Sequence, residues 1–561
     1  MQSNIRNFLF IISYIYSACI FADIPNQSAV ATAHEIATRT GLEILKKGGN
    51  AFDAAAAITA SLAVVEPYGS GLGGGGFWLL HRSADNKQVV IDGREIAPLR
   101  SHKNMYVDKN GNIVEGLSLN GPMASAIPGI VAGIDHLVKN YGRLSLKEIL
   151  KPAIQQAKNG FVVTERYRKL IQYREDIMRK YTSTASIFFI NDKIPKLGDF
   201  IIQEDLSETL SMIAEKGSEG FYQGNFSQKI VDNIQKNGGI WETYDLANYT
   251  IIEREPIFIN YKGIKITSVP LPSSGGIVLG QVLNILEKFD LKQYDNITRK
   301  HIIIESMRRA YRDRAAYLGD SDFVYIPVDR LLDKNYAEGL ALTIDVDRAT
   351  PSAELGSIAA VDNLGENTTH FSVVDRDGNM VSSTLSINLP FGSGFVIEGT
   401  GIVLNNEMDD FTVKPLTANN YGLVGYQANT IHPGKRPLSS MTPTFIESNN
   451  RIAILGTPGG SRIISMVLLA ILDFVKGELP DSWVSLPRFH HQYIPDLVQY
   501  ETGGLSVDEK RKLVSKGHKL KEIKRKYGNM QAIMIWKNKN TSFVASDPRG
   551  DGVAESIHLY K

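Results

Sequence analysis

One cysteine, Cys19, is all the thiol in a chain of 561 residues. Without a second thiol the chain cannot build an internal disulfide framework, a Cys-ligated zinc site or an iron–sulfur cluster. Cys19 lies in the first two dozen residues, so the remainder holds no cysteine nucleophile either. Net charge is equally scarce: 61 Lys and Arg against 60 Asp and Glu leave +1. That balance argues against a protein held to nucleic acid by bulk electrostatics. No G-x-x-x-x-G-K-[ST] phosphate loop occurs, nor any internal repeat or low-complexity tract. The four tryptophans, Trp78, Trp241, Trp483 and Trp536, are scattered and read as packing residues. What is present is ordinary globular material, 43% apolar and 22% charged. At roughly 150 residues per domain the length suggests about four units, though fused folds run larger.

Residues Met1 to Ala22 read as an export signal. Arg6 and the amino terminus supply positive charge, and Phe8 to Phe21 is an apolar run too short for a comfortable transmembrane helix. Ala22 is a plausible cleavage residue, although Ile20 is larger than the usual small residue two positions earlier. Tyr16-Ser17-Ala18-Cys19 loosely resembles a lipoprotein signal without its leucine. Ordinary cleavage near Ala22 is therefore favoured over lipidation of Cys19, and an uncleaved anchor is the further alternative. No later segment reaches 18 consecutive apolar residues, so a soluble periplasmic or secreted protein is expected.

Along the chain, His34 to Lys47 has helical spacing and stops at Gly48-Gly49-Asn50. Phe52 to Val65 is Ala-rich and apolar on nearly all sides, a helix for a large core. Phe77 to Arg82 and Val89 to Asp92 predict strands, and Leu144 to about Leu342 is mostly helical in pattern with a break at Pro270 to Gly276. From Thr368 the texture changes to short alternating strands, which together fits a layered α+β or α/β/α architecture. Gly69-Ser70-Gly71-Leu72-Gly73-Gly74 matches G-x-G-x-x-G, but a helix precedes it and a strand follows. A dinucleotide site needs the reverse order, so the run reads as a tight connection where backbones approach closely. His490-His491 reads as structural, because adjacent residues on a regular element point in different directions and Pro495 separates the nearby Asp496.

The sharpest pattern lies at Asn367-Thr368-Thr369-His370. Thr368 to Asp375 and Asn379 to Asn388 both alternate, around a three-residue loop Arg376-Asp377-Gly378. That loop sets Thr368 opposite Ser386, His370 opposite Thr384 and Ser372 opposite Ser382, gathering most hydroxyls on one face and Phe371, Val373, Val381 and Leu385 on the other. Facing hydroxyls could orient one nucleophile; a half-exposed Thr/Ser sheet face is the plainer alternative.

The whole set of motifs resembles the γ-glutamyltranspeptidase family of N-terminal-nucleophile hydrolases. The matching elements are Gly48-Gly49-Asn50-Ala51-Phe52-Asp53-Ala54-Ala55, Asp92-Gly93-Arg94-Glu95, Pro272-Ser273-Ser274-Gly275-Gly276 and Thr368-Thr369-His370-Phe371-Ser372. They continue with Leu404-Asn405-Asn406-Glu407-Met408-Asp409-Asp410-Phe411, Lys435-Arg436-Pro437-Leu438-Ser439-Ser440-Met441, Pro458-Gly459-Gly460-Ser461-Arg462 and Ser546-Asp547-Pro548-Arg549-Gly550-Asp551-Gly552. The resemblance implies an α+β fold, a four-layer αββα sandwich. It implies self-cleavage between Asn367 and Thr368, after a signal peptide of residues 1–22. Residues 23–367 would form the large subunit and 368–561 the small one, a heterodimer making one catalytic domain. The chemistry is self-consistent. A freed α-amine has a pKa of about 7.7–8.0, against about 10.4 for lysine, and can take the proton of its own Thr368 hydroxyl.

Carried onto this sequence, the resemblance makes Arg94 the partner of a donor's α-carboxylate, with Ser439 and Ser440 adding hydroxyls. Asp410 would hold the α-ammonium, with Asn388 and Glu407 as polar neighbours. Gly459 and Gly460 would form the oxyanion hole, Ser386 would orient Thr368, and Tyr421 would belong to a lid spanning Lys414 to Pro433. Donors would be glutathione and related γ-glutamyl compounds; acceptors would be water, an amino acid or a dipeptide. No cofactor, metal or nucleic acid is implied. Two departures stand out: Ser386 replaces the usual threonine, loosening the orientation of Thr368, and Glu407 stands where other members carry Gln. An added carboxylate beside Asp410 strengthens attraction for an ammonium but raises the pKa of one of the pair. A cephalosporin-type acylase and an inert exported binding protein are the alternatives; the zwitterion-binding set argues against the first, the intact Asn367-Thr368-Thr369 junction against the second.

Overall fold

A computed structural model describes residues 27–356, 368–537, 539 and 541–558. The expected export signal at residues 1–22, with Cys19 and Ala22, and Asn367 of the junction lie outside the described residues.

Two antiparallel sheets organise the molecule. The first orders its strands Val553–His558, Gln27–Thr32, Thr369–Val374, Met380–Ser386, Gly75–Arg82, Lys87–Gly93 and Ile252–Arg254. The second orders Thr541–Ser546, Gln531–Trp536, Arg451–Gly456, Thr444–Glu447, Ile264–Ser268 and Ile257–Tyr261. Side chains of a strand alternate between faces, and the alternation sorts into three apolar layers. Ala29, Ala31, Phe77 and Leu79 meet Phe445, Ile454, Ile533 and Ile535 between the sheets. Val30, Trp78 and Leu80 point outward into a core shared with the helices Glu35–Lys46, Ala51–Val65 and Ile130–Tyr141. Ala453, Leu455, Ala532 and Met534 face the other way, against the helices Gly275–Leu286, Asn296–Tyr317 and Ile463–Lys476. Three apolar layers separate four structural ones: helix, sheet, sheet, helix.

Local sequence accounts for the joints. The Asn50 side chain accepts from the N–H groups of Phe52 and Asp53, both at 2.9 Å, while Asp53 Oδ2 accepts from Asn50 N at 2.9 Å. This capping box starts the Ala-rich helix, buried on every side. The glycine run makes the close approach its composition implies. A Cβ on Gly73 would sit 2.2 Å from the Val403 carbonyl oxygen, and one on Gly74 2.1 Å from that of Ser386. Backbone atoms cannot yield as a flexible side chain does. Gly74→Ala is therefore expected to lose about 3 kcal/mol in denaturant unfolding, with displacement of the Ser386 region. A stability within about 0.5 kcal/mol of the parent would contradict this.

The hairpin has the expected register, His370 against Thr384 and Ser372 against Ser382. Asp375 N donates to Asn379 O at 3.0 Å across the loop, and Gly378 takes a positive φ of 83°. Its hydroxyl face is not half-exposed, however. The second sheet covers it, and Ser372 Oγ donates to the carbonyls of Gln531 at 3.2 Å and Ile454 at 3.3 Å, while Ser382 Oγ donates to that of Leu455 at 3.0 Å. A buried hydroxyl needs such a partner in place of water. The stretch Leu144 to Leu342 also departs from its mostly helical reading, because it contributes five strands, the short pair Phe161–Val162 and Phe200–Ile201 and then Ile252–Arg254, Ile257–Tyr261 and Ile264–Ser268. Lys262 and Gly263, both at positive φ, form a two-residue hairpin loop between the last two.

Candidate active site

Strand ends converge at one end of the sandwich. Thr368 immediately precedes Thr369–Val374; Ser386 closes the neighbouring strand; Arg94 follows Lys87–Gly93. From the second sheet come Ser439 and Ser440 ahead of Thr444–Glu447, and Gly459-Gly460 after Arg451–Gly456. Glu407–Asp410 forms a single 3₁₀ turn. A cavity enclosing about 20 Å³ is lined by Thr368, Arg94, Ser386, Asn388, Glu407, Asp410, Tyr421, Ser439, Ser440 and Gly460. Ten of the eleven residues singled out in the sequence thus share one wall. Gly459 lines instead a second cavity, together with Pro458. Among the described residues neither the Gly459 nor the Gly460 N–H has an acceptor.

Arg94 is fully buried among acids. Its Nη2 lies 2.5 Å from Asp410 Oδ2, its Nη1 2.8 Å from Glu407 Oε2 and 3.3 Å from Glu95 Oε2. One cation faces three carboxyls. Burial pushes Glu407 well up from the usual carboxylate range; Arg94 opposes this, and Glu95 and Asp410 add to it by repulsion. Burial likewise pushes Glu95 up to about 7 against the pull of Arg94. Burial works against the Arg94 charge, but the carboxyls outweigh it and hold its pKa above the ordinary value. Two buried acceptors in this cavity, Glu407 Oε1 and Asn388 Oδ1, have no hydrogen-bond partner among the described residues. Asn388 is also held at φ 72°, a conformation rare for a residue with a Cβ. Its N–H donates to Ser386 Oγ at 2.7 Å, so the strained turn and that hydroxyl are one unit.

The Pro272-Ser273-Ser274 motif positions the two serines. Ser439 N donates to Pro272 O at 2.8 Å, Ser274 Oγ donates to Ser439 O at 2.7 Å, and Ser273 Oγ donates to Met441 O at 2.6 Å. Arg314 donates to Ser274 Oγ at 3.0 Å and to Ser440 Oγ at 3.1 Å. The sequence reading missed Arg314, whose helix carries the run Arg308-Arg309-Ala310-Tyr311-Arg312-Asp313-Arg314, which looks like a solvated face. It also assigned nothing to Glu95, although that residue sits inside a quoted motif.

The segment expected to be a lid lies folded over the site. Tyr421 is 7% exposed, its hydroxyl donates to Asn388 O at 3.0 Å, and its ring fills the space a Cβ on Gly460 would need. Asn419 Nδ2 donates to Asp410 Oδ1 at 3.3 Å, and Asn420 N donates to Asp409 Oδ2 at 2.9 Å.

Two histidine groups lie elsewhere. His490 bonds Ser465 and Gln492, and His491 lies 3.2 Å from Asp496. Burial and the adjacent Arg308 push His491 down to about 4. His301, Glu305 and His518 lie close enough to share an ion, but Glu305 is paired with Arg308 and Arg309, and His301 Nδ1 is 2.7 Å from His518 Nε2. Their donor atoms are engaged with one another, which suits a hydrogen-bond network and not a metal site.

The Gamma-glutamyltranspeptidase family model matches residues 37–557. A glutathione hydrolase proenzyme of Escherichia coli (strain K12) is 42% identical over 530 residues, 93% of this chain and 90% of that protein. Among solved structures, a cephalosporin acylase from Bacillus halodurans superposes with a TM-score of 0.83 at 28% identity, covering 98% of this chain and 99% of that one. A Helicobacter pylori gamma-glutamyltranspeptidase gives 0.56 at 41% identity, covering 59% of this chain and 97% of that one. A match across nearly the whole length, together with a hydroxyl nucleophile candidate set beside a buried arginine–acid cluster, leads to one conclusion: the chain belongs to the γ-glutamyltranspeptidase family.

Proposed function

We propose that this protein is a self-cleaving γ-glutamyltransferase and glutathione hydrolase in which Thr368 is the nucleophile. The Thr368 hydroxyl attacks the Asn367 carbonyl, and the Asn367–Thr368 C–N bond breaks to leave an ester on the Thr368 oxygen and a free Thr368 amine. Water then hydrolyses that ester to the Asn367 carboxylate and the free hydroxyl. In the matured enzyme that amine takes the hydroxyl proton as Oγ attacks the γ-carbonyl of the donor. The oxyanion is met by backbone N–H groups of Gly459 and Gly460. The C–N bond breaks, the proton passes to the leaving amine, and a glutamyl ester remains on Thr368. Water then releases glutamate, or the amine of an amino acid or dipeptide takes the acyl group.

The observation that carries this reading is the pair of unpartnered buried acceptors, Glu407 Oε1 and Asn388 Oδ1, in the cavity that Thr368 and Arg94 share. Buried acceptors without donors cost free energy, and a donor's α-ammonium supplies what they lack. Its α-carboxylate competes with Asp410 and Glu407 for the Arg94 fork, helped by the Ser439 and Ser440 hydroxyls. An acylase acting on a substrate without a zwitterionic end has no use for this set, so the shared fold does not decide against transfer of a glutamyl group. Residues 23–367 and 368–561 stay together as a heterodimer, because the central strands Gln27–Thr32 and Thr369–Val374 pair across the cut. The apolar run Phe8 to Phe21 supports export to the periplasm or medium. Among the described residues no helix is long and apolar enough to cross a membrane.

Denaturing electrophoresis and N-terminal sequencing test the reading. Two bands are expected, the smaller beginning Thr-Thr-His-Phe, with glutathione turnover in the same sample. A single band with full turnover, or a small fragment beginning elsewhere, would overturn it.

A further inference from the structure

The hydroxyl of Thr369, next to the proposed nucleophile, donates to Glu66 Oε2 at 2.6 Å. Both residues are sealed from solvent, Thr369 at 0% and Glu66 at 1% exposure. Glu66 ends the helix Ala51–Val65, where its N–H donates to Leu62 O at 2.9 Å. Its carbonyl accepts from Gly69 N at 2.7 Å and Ser70 N at 3.1 Å, turning the chain into the glycine connection. The carboxyl group therefore stands where the helix layer meets the first residue of the nucleophile strand.

Burying a carboxyl group is costly, and two neutral hydroxyls, those of Thr369 and Tyr68, are modest compensation if the task were only to tie a helix to a sheet. An apolar pair would do that at lower cost. The position matters to chemistry instead. Thr368 lies one residue ahead of the ladder, whose first pair is Thr369 with Leu385. Fixing Thr369 through its side chain fixes the Thr368–Thr369 peptide plane, and with it the Thr368 Cα from which the nitrogen and the hydroxyl-bearing Cβ project. Reacting groups misplaced by about 1 Å lose rate on the order of 100-fold.

We infer that Glu66 is a positioning residue for the Thr368 reactions, acting through the Thr369 hydroxyl in both self-cleavage and acyl transfer. The inference rests on Thr368 being the nucleophile.

The test compares Thr369→Val, Thr369→Ser, Glu66→Gln and the double variant Glu66→Gln/Thr369→Val in the full chain. Appearance of the two bands reports cleavage; kcat and KM for γ-glutamyl-p-nitroanilide report turnover of the matured protein. Thr369→Val is expected to slow cleavage and kcat by about tenfold or more with KM within about twofold, because the Arg94–Asp410 end of the site is untouched. Thr369→Ser restores both rates. Glu66→Gln slows both, and adding it to Thr369→Val costs little more, since the two share one bond. The inference is overturned if Thr369→Val cleaves and turns over normally with only a lower melting temperature, if KM rises in step with the loss of kcat, or if the losses add. Should Thr369→Val not fold, Thr369→Ser and Glu66→Gln still decide: equal rates in the two overturn it. A parent protein that neither cleaves nor turns over removes Thr368 from the chemistry, a result separate from all of these.

Discussion

Replacing Thr368 by alanine leaves the chain as one uncut polypeptide with no measurable γ-glutamyl hydrolysis. Both losses follow from one atom. The hydroxyl oxygen is the group that attacks the Asn367 carbonyl in the precursor, and the same oxygen attacks the donor in the matured enzyme. Deleting it removes the ester intermediate of each reaction. Loss of a covalent nucleophile is expected to cost at least about 10⁴-fold in rate, or ~5.5 kcal/mol of transition-state stabilisation. The fold survives, because Thr368 precedes the strand Thr369–Val374 and the substitution leaves every residue of its ladder with Met380–Ser386 in place. Thr368→Ser keeps the oxygen but not the methyl group, and is expected to cleave and turn over more slowly. An alanine variant that matures into two bands, or that hydrolyses donor at the parent rate, eliminates the mechanism.

Much of this site was legible because its residues cluster in short ordered motifs, and the hairpin register was legible because a strand has a period of two. Alternation states which residues share a face. It does not state what covers that face, so the burial of Ser372 and Ser382 under Ile454, Leu455 and Gln531 could not be read from it. The same limit hid Arg314. Its charge looks solvated in sequence, and only the crossing of the helix Asn296–Tyr317 behind Ser274 and Ser440 gives it a task. The strands Ile257–Tyr261 and Ile264–Ser268 are different. Alternating isoleucines around Lys262-Gly263 carried a hairpin signal, which the surrounding helical texture outweighed. The three-acid environment of Arg94 is a tertiary product as well, since Glu95 neighbours it in sequence but Glu407 and Asp410 arrive from another strand connection. A carboxyl beside an arginine in sequence is ordinarily a surface pair; here burial turns it into a group that titrates near neutrality.

Asp410→Asn is expected to separate donor recognition from self-cleavage. The amide keeps the shape of the side chain and leaves Arg94 paired with Glu407 and Glu95, whereas Arg94→Ala would strand the two buried carboxyls of Glu95 and Glu407 and the partly buried Asp410 without a cation and cost about 3–5 kcal/mol of stability. Removing the Asp410 charge deletes a charge-assisted contact to the donor's ammonium, so kcat/KM for γ-glutamyl donors should fall about 10²–10³-fold, ~3–4 kcal/mol, while the two bands still form. Failure to mature, or an unchanged kcat/KM, would count against the assignment. The variant also has a signature in stability. Glu95 is pushed up to about 7 first by burial and then by repulsion that includes Asp410. An acid raised in the folded state contributes stability that is fully present below its unfolded pKa, about 4.3, and is lost as pH rises through the folded value. The parent should therefore lose stability between about pH 4.3 and 7. In Asp410→Asn one source of repulsion is gone, the Glu95 carboxyl titrates lower, and the decline over that window should be shallower in urea unfolding measured at successive pH values. An equal or steeper decline would mean that Asp410 does not act on the buried acids around Arg94, and the electrostatic account of the donor pocket would have to be abandoned.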